Sequence, residues 1–380
     1  MRLVMIVIEP EMIGWGVLAV LGLALLFQLY YILVEFSGVG FGKEAEVQST
    51  VNEPVSVIIC ARNELKNLRA FLPSVLDQDY PEYQIVVVND CSWDESAKYL
   101  EEMEDAYPLL KVITIKEQEK YQHGKKFALT LGIKGAKYEK LLFTDADCKP
   151  VGNQWIKKMV QRLQGDKELV VGYGAYLKEK GLLNRWIRFD TAQNALLYLT
   201  RAKRGKAYMG VGRNLAYVKS LFFKNKGFAN HYHLMSGDDD LFVNETANKK
   251  NVAVELSPES FTYSKPKTSF SHWIYQKKRH MSTGKYYKGR DRRLIGWYFI
   301  SQSLFWITVI ASLILKLNWQ IVVAMVSTRL IVQMIVYWRG FKKLGETDLL
   351  ILTPFFDLMV AFIYPLLAIS NIFIKTKSWK

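Results

Sequence analysis

Four long apolar stretches, gathered at the two ends of the chain, constrain its folding more than anything else in the sequence. Met12 to Val34 runs 23 residues without a charge, and Leu294 to Leu315 runs 22. Leu317 to Trp338 and Leu349 to Ile374 follow, each carrying one ionisable residue, Arg329 and Asp357. At 1.5 Å per helical residue, such blocks are long enough to cross a hydrocarbon core about 30 Å thick. Between Gly38 and Arg293 the composition is that of a soluble α/β enzyme. This segregation rules out a plain soluble protein, a disordered chain and a many-spanning transporter. The first block is too long for a signal-peptide core and lacks a small-residue cleavage site after it, so it reads as a retained anchor.

Charge narrows the partners. Lys and Arg number 51 against 36 Asp and Glu, a balance of +15 that favours lipid headgroups, phosphates or nucleic acid. Lys265 to Arg293 holds ten basic residues and one acidic, Asp291, interleaved with Trp273, Tyr275, Tyr286 and Tyr287. Directly upstream of apolar blocks, that stretch reads as a positive-inside flank with aromatic interface anchors, facing membrane lipids and not nucleic acid. The polar region is then cytoplasmic, at a bacterial inner membrane. Cys60, Cys91 and Cys148 show no pairing logic and read as reduced thiols. The last block is ambiguous. If it spans, Lys375, Lys377 and Lys380 lie outside, against the positive-inside tendency, and Pro354 and Pro365 offer a bend or re-entry instead. Arg329 and Asp357 fall at equal depth if the turn between their blocks is Arg339 to Asp348. They either pair or stand alone, with Arg329 snorkelling and Asp357 protonated or facing an acceptor channel.

The polar region alternates strand and helix. Val55–Cys60, Gln84–Val88, Lys111–Ile115 and Lys140–Thr144 are short β-rich runs. Helical patterns cover Leu65–Leu76, a stretch from about Trp93, and Gly124–Lys137. Continuous apolar strands alternating with helices predict a mostly parallel, Rossmann-like sheet covered on both faces. Ligands in such sheets sit beyond the carboxyl ends of the strands.

Those ends are acidic. The first delivers Ala61-Arg62-Asn63-Glu64, the second Asn89-Asp90-Cys91-Ser92-Trp93-Asp94, and the fourth Thr144-Asp145-Ala146-Asp147. Capping suffices for Asp94. Three acidic ends on one edge crowd like charges unless cations or donors compensate. In an extended segment residues two apart project to one side, so Asp145 and Asp147 address one site. Their hard oxygens suit Mg²⁺ or Mn²⁺.

In this order the motifs resemble a membrane-bound family-2 glycosyltransferase with the glycosyltransferase A fold, over roughly Pro54 to Gly284. Val55–Glu64 resembles the opening strand, with Ala61 and Glu64 on the donor side. Val88–Asp94 resembles the V-D-D-G-S-x-D segment, which makes Asp90 the uracil contact. Gly124–Leu129 resembles G-K-x-x-A-L and places Lys125 at the donor. Asp145-Ala146-Asp147 matches the metal motif, with Asp147 as ligand and Asp145 nearer the sugar nucleotide. Gly237–Leu241 resembles the motif holding the catalytic base, which makes Asp239 the base, flanked by Asp238 on the acceptor side and by Asp240. Gln276-Lys277-Lys278-Arg279-His280 resembles Q-x-x-R-W, with Gln276 and Arg279 toward the donor and His280 toward the acceptor. Asn89, Cys91 and Thr130 depart from the family's Asp, Gly and Asn without touching the implied chemistry. His280 in place of Trp puts processive polymerisation in doubt.

The resemblance implies inverting transfer from a nucleotide sugar, a uridine diphosphate sugar first, to a lipid or lipid-linked acceptor in cell-envelope glycan or glycolipid synthesis. A processive polysaccharide synthase is the alternative within enzymes, and an inactive scaffold binding anionic lipid the alternative outside them. The expected organisation is an anchor over 1–37, a catalytic domain over 38–264, a basic site-closing segment over 265–293 and a membrane region over 294–380. His231 and His233 lack further ligands and read as a surface loop. Gly210–Asn214 reads as an acceptor-side turn whose backbone, at Gly212, lies close to the sugar.

Overall fold

The computed structural model describes residues 10–43, 52–116 and 124–373. Its strands are β1 (Val55–Ala61), β2 (Tyr83–Asp90), β3 (Leu110–Ile115), β4 (Lys140–Asp145), β5 (Cys148–Pro150), β6 (Leu169–Val171), β7 (Gly174–Tyr176), β8 (Leu215–Val218), β9 (Val252–Val254) and β10 (Thr262–Ser264). Seven form one sheet in the order β3-β2-β1-β4-β8-β6-β9, and β5-β10-β7 form a second. The first four are parallel, as their unbroken apolar runs predict. In β1, Val57, Ile59 and Ala61 pack on one face with Leu68 and Leu72 of the helix Leu65–Leu76. Ile58 and Cys60 pack on the other, with Ala128 and Ile133 of the helix Lys125–Gly135. A Cβ on Gly132 would lie 2.9 Å from Ile58 and 3.0 Å from Val88, so glycine lets that helix press onto the sheet.

β8 runs antiparallel to β4 and β6, which makes the sheet mixed. β10 pairs antiparallel with β5, and Lys265 N–H donates to the Asp147 carbonyl at 3.3 Å, pinning the Asp145–Asp147 turn. These strands of three or four residues are too short to show a period of two in the sequence.

Among the described residues, four helical stretches are long and apolar enough to cross a membrane: Glu11–Phe41, Gly289–Ile314, Trp319–Leu344 and Thr347–Asn371. The first carries a π turn at Tyr31–Glu35 that buries Glu35 against the polar domain. Arg201 binds Glu35 at 3.0 Å and Asp291 at 3.1 Å. Arg188 binds Glu346, and with Lys178 also Asp348, so the turn after the third span docks on the same domain. One end of every span therefore meets the polar domain.

The last span contains the single continuous helix Thr353–Phe373, with Pro354 in its first turn and Pro365 in its interior. Pro365 supplies no N–H to the Ala361 carbonyl, and the Ser303 hydroxyl of the neighbouring span donates to it instead at 2.6 Å. Lys375, Lys377 and Lys380 lie outside the described residues. The basic segment also departs from expectation. Tyr275 and Tyr286 are exposed, but Trp273 packs against Trp186 and Tyr287 against Tyr208, so neither is an interface anchor.

Candidate active site

Three turns build the site, and Lys125 joins them. Its ammonium lies 2.9 Å from Asp145 at the end of β4 and 2.9 Å from Asp238 in the loop before the helix Asp240–Thr246. Burial works against its charge, but Asp145, Asp238 and Asp239 outweigh it and hold Lys125 protonated. The sequence placed Lys125 at the donor; the fold sets it between Asp145 and the loop that carries Asp238 and Asp239.

Asp239 precedes the first residue of that helix. Its Oδ1 accepts from Asp240 N–H at 2.7 Å, and its Oδ2 from Gly212 N–H at 2.7 Å. Gly212, expected near the sugar, thus holds the Asp239 carboxylate. Burial, then the charges of Asp238 and Asp240, push Asp239 up to about 7. Burial alone would raise Asp238 too, but Lys125 holds it below its ordinary value. Neighbouring carboxylates with opposite shifts are what separates a proton acceptor from an electrostatic partner.

Asp145, Asp147 and Cys148 bring ligand atoms within 4.8 Å of one another. Burial and the Asp145 charge push Asp147 up, a crowding of negative charge that a divalent cation would relieve. Two half-buried carboxylates at a cavity wall fit a hard cation that keeps waters or phosphate oxygens. Cys148 Sγ lies between Asp147 Oδ1, to which it donates at 3.3 Å, and the Ser264 hydroxyl oxygen at 2.9 Å.

The cavity, about 1300 Å³, is lined by Glu64, Lys125, Asp145, Asp147, Asp238, Asp239, Gly212, Gln276, Arg279 and His280. Two of the expected donor contacts, Ala61 and Asp90, are not among the residues that line it. Ala61 packs in the core with Leu68 and Leu72 of the Leu65–Leu76 helix, and Asp90 is fully buried. Asp94 caps, accepting from Leu65 N–H at 3.2 Å and Ser96 N–H at 3.0 Å. Asn63 and Cys91 both adopt positive φ, 55° and 51°, which explains why the resembling motif carries glycine where Cys91 stands. His231 is buried, its carbonyl accepting from Lys126; only His233 is on the surface.

Three features of the cavity had no sequence signal. Arg213 lies 4.5 Å over the Tyr176 ring. Lys277 pairs with Asp190, which also accepts from the Tyr364 hydroxyl, tying a polar helix, the basic segment and the last span together. The wall then continues down two spans: Ile295, Gly296, Phe299, Ile300, Ser303, Leu304 and Ile307 on one, Tyr364, Pro365, Ala368 and Ile369 on the other. These positions repeat every three or four residues and form a stripe on each helix. Ile300, Ile307 and Ile369 are 55 %, 50 % and 54 % exposed, so the slot opens sideways.

The family model described as glycosyl transferase family 2 matches residues 56–223. The chain is 28% identical over 193 residues to glycosyltransferase AglE of Haloferax volcanii, covering 49% of this chain and 58% of that protein. It is 30% identical over 152 residues to an uncharacterized glycosyltransferase of Haemophilus influenzae, covering 38% and 45%. It is 34% identical over 95 residues to a poly-beta-1,6-N-acetyl-D-glucosamine synthase of Staphylococcus epidermidis, covering 25% and 22%. The matches span less than two thirds of each relative. Among solved structures, the mannosyltransferase PcManGT from Pyrobaculum calidifontis, in complex with GDP-Man and Mn²⁺, aligns with a TM-score of 0.59 at 16% identity. That alignment covers 97% of this chain and 100% of the other, so the fold is shared along nearly the whole length.

Proposed function

The chain belongs to glycosyl transferase family 2 through residues 56–223, and from that premise we propose that it transfers a sugar, with inversion, from a nucleoside diphosphate sugar to an acceptor carried by a membrane lipid. The observation that carries this reading is the continuity of the cavity from Asp147 and Asp239 into the slot between the spans Gly289–Ile314 and Thr347–Asn371. From Arg292 to Ile307 the stripe extends about 22 Å at 1.5 Å per residue. An acyl or isoprenoid chain in the slot keeps its contact with the bilayer while its head reaches the carboxylates. Basic residues support a cytoplasmic site. Lys203, Arg204, Arg339, Lys342 and Lys343 lie toward the domain, whereas Lys316 lies in the turn at the other membrane face.

The chemistry is a single displacement. The acceptor hydroxyl oxygen attacks the anomeric carbon, that carbon's bond to the diphosphate oxygen breaks, and Asp239 takes the hydroxyl proton. Gly212 and Asp240 N–H groups aim the Asp239 carboxylate while leaving lone pairs for that proton. A divalent cation on Asp147, with Asp145 beside it, would offset charge on the leaving diphosphate. Lys125 keeps the Asp145 carboxylate from repelling the donor phosphates.

Asp239→Asn is expected to lower kcat by a factor on the order of 10² to 10⁴ with donor affinity nearly unchanged. Because a raised base must lose its proton to act, wild-type kcat/KM should rise with pH through about 7. Collapse of nucleotide affinity in the variant would make Asp239 a donor ligand instead.

The slot is tested by Gly296→Trp, since a Cβ at Gly296 meets nothing within 4 Å and a large side chain enters the slot. Purified protein with a panel of nucleotide sugars and extracted membrane lipid should lose transfer to lipid in this variant but keep donor hydrolysis by water. Undiminished lipid transfer would sink the lipid-acceptor reading.

A further inference from the structure

The helix that starts behind the base is held from the membrane side. Asp240, buried, accepts on Oδ2 from the Tyr287 hydroxyl at 2.7 Å and from the Thr283 hydroxyl. Thr283 also reaches the His280 carbonyl at 2.8 Å and shares one proton between the two acceptors, so Tyr287 is the committed donor. One turn further along the same helix, Asn244 accepts from Lys288 N–H at 2.9 Å and donates to Asp291 at 3.3 Å and to the Tyr208 carbonyl at 2.9 Å. Asp291 in turn binds Arg201, which binds Glu35 of the first span. Two clamps thus fix a seven-residue helix to the segment that becomes the span Gly289–Ile314. A helix that short has little stability of its own, so its position is set by those contacts.

We propose that Tyr287 and Thr283 are positioning residues for the transfer: by holding Asp240 they fix the loop that carries Asp239, and they make its alignment depend on the seating of the membrane span. The inference rests on the reading of Asp239 as the base. Asp239 is faced by Asp238, Asp240 and Lys125. Asp240 is faced by Asp238, Lys126, Thr283 and Tyr287. Tyr287 is faced by Asp240, Asp239 and Tyr208. Burial raises Asp240; donation from Thr283 and Tyr287 works against that shift and favours its ionised form, and ionised Asp240 raises Asp239. Removing a donor should leave Asp240 protonated at higher pH, relieve the repulsion on Asp239, and move the acid limb of kcat/KM downward.

Tyr287→Phe keeps the ring against Tyr208 and removes only the hydroxyl. In the full-length protein in detergent, it should lower kcat about tenfold, leave donor KM within about twofold, and shift the acid limb to lower pH. Thr283→Val should shift the limb in the same direction and stands in if Tyr287→Phe does not fold. Tyr286→Phe, an exposed neighbour, should match wild type. A fall in kcat with the limb unmoved in both variants would make the contacts structural and overturn the proposal. Asp239→Asn separates the two readings. If it retains the wild-type rate and limb, the base assignment fails. If it removes the limb while Tyr287→Phe and Thr283→Val leave it in place, only the positioning role fails.

Discussion

Asp147→Asn is expected to abolish both sugar transfer and donor hydrolysis while leaving the protein folded. The second half follows from the crowding at the site. Burial and Asp145 disfavour the ionised form of Asp147, so its charge costs the folded state something, and the isosteric amide removes that cost. The thermal midpoint without metal should therefore equal or exceed that of wild type. Added Mn²⁺ should raise the wild-type midpoint, because a ligand that binds only the folded state stabilises it, and should leave the variant unmoved. EDTA should reproduce the loss of activity in wild type, and Mn²⁺ or Mg²⁺ should restore it. Full activity in EDTA would remove Asp147 from the role of ligand. An Asp147→Asn protein that hydrolyses donor but does not transfer would place it on the acceptor side instead.

The strand ends were legible because parallel strands buried on both faces must be continuously apolar, so the polar residues that end such a run stand at the carboxyl edge of the sheet, and those after β1 and β4 line the cavity. Asp145 and Asp147 emerge from β4 in that way, and β1 to β4 agree with their predicted spans to within one or two residues. The acidic run Asp238–Asp240, singled out by motif order, lines the same cavity. What escaped was everything fixed by distant partners. Lys125 looked like one more phosphate contact, and only the fold shows it between two carboxylates. Asp190 lies in Leu182–Lys203, a helix buried nearly all round, whose charged residues Arg188, Asp190 and Arg201 each meet a different element. No periodicity announces such a helix, because its polar groups are satisfied one at a time across the fold. Trp273 and Tyr287 misled for the complementary reason. Aromatics beside basic residues suit an interface, but Tyr287 has a buried carboxylate to donate to.

The membrane region offers the second large effect. Arg329 and Asp357 are both within 1 % of full burial and pair through Nη1 and Oδ2 at 2.8 Å. The pair is not alone. Arg329 also donates to Gln28 of the first span at 2.8 Å, while Asp357 accepts from Gln302 and Trp306 of the second at 2.9 Å each and from Gln333 of the third at 2.8 Å. All four spans therefore meet at one ion pair. In hydrocarbon each of these groups is costly without its partner, so removing one charge strands the other. Asp357→Ala and Arg329→Ala should each destabilise the protein in detergent by about 3 to 5 kcal/mol, read as urea or thermal midpoints. The double variant should be no worse than either single one, because the loss in each is mostly the cost of the orphaned partner. Strictly additive losses would mean that the two charges are satisfied independently, Arg329 by Gln28 and Gln333 and Asp357 by Gln302 and Trp306.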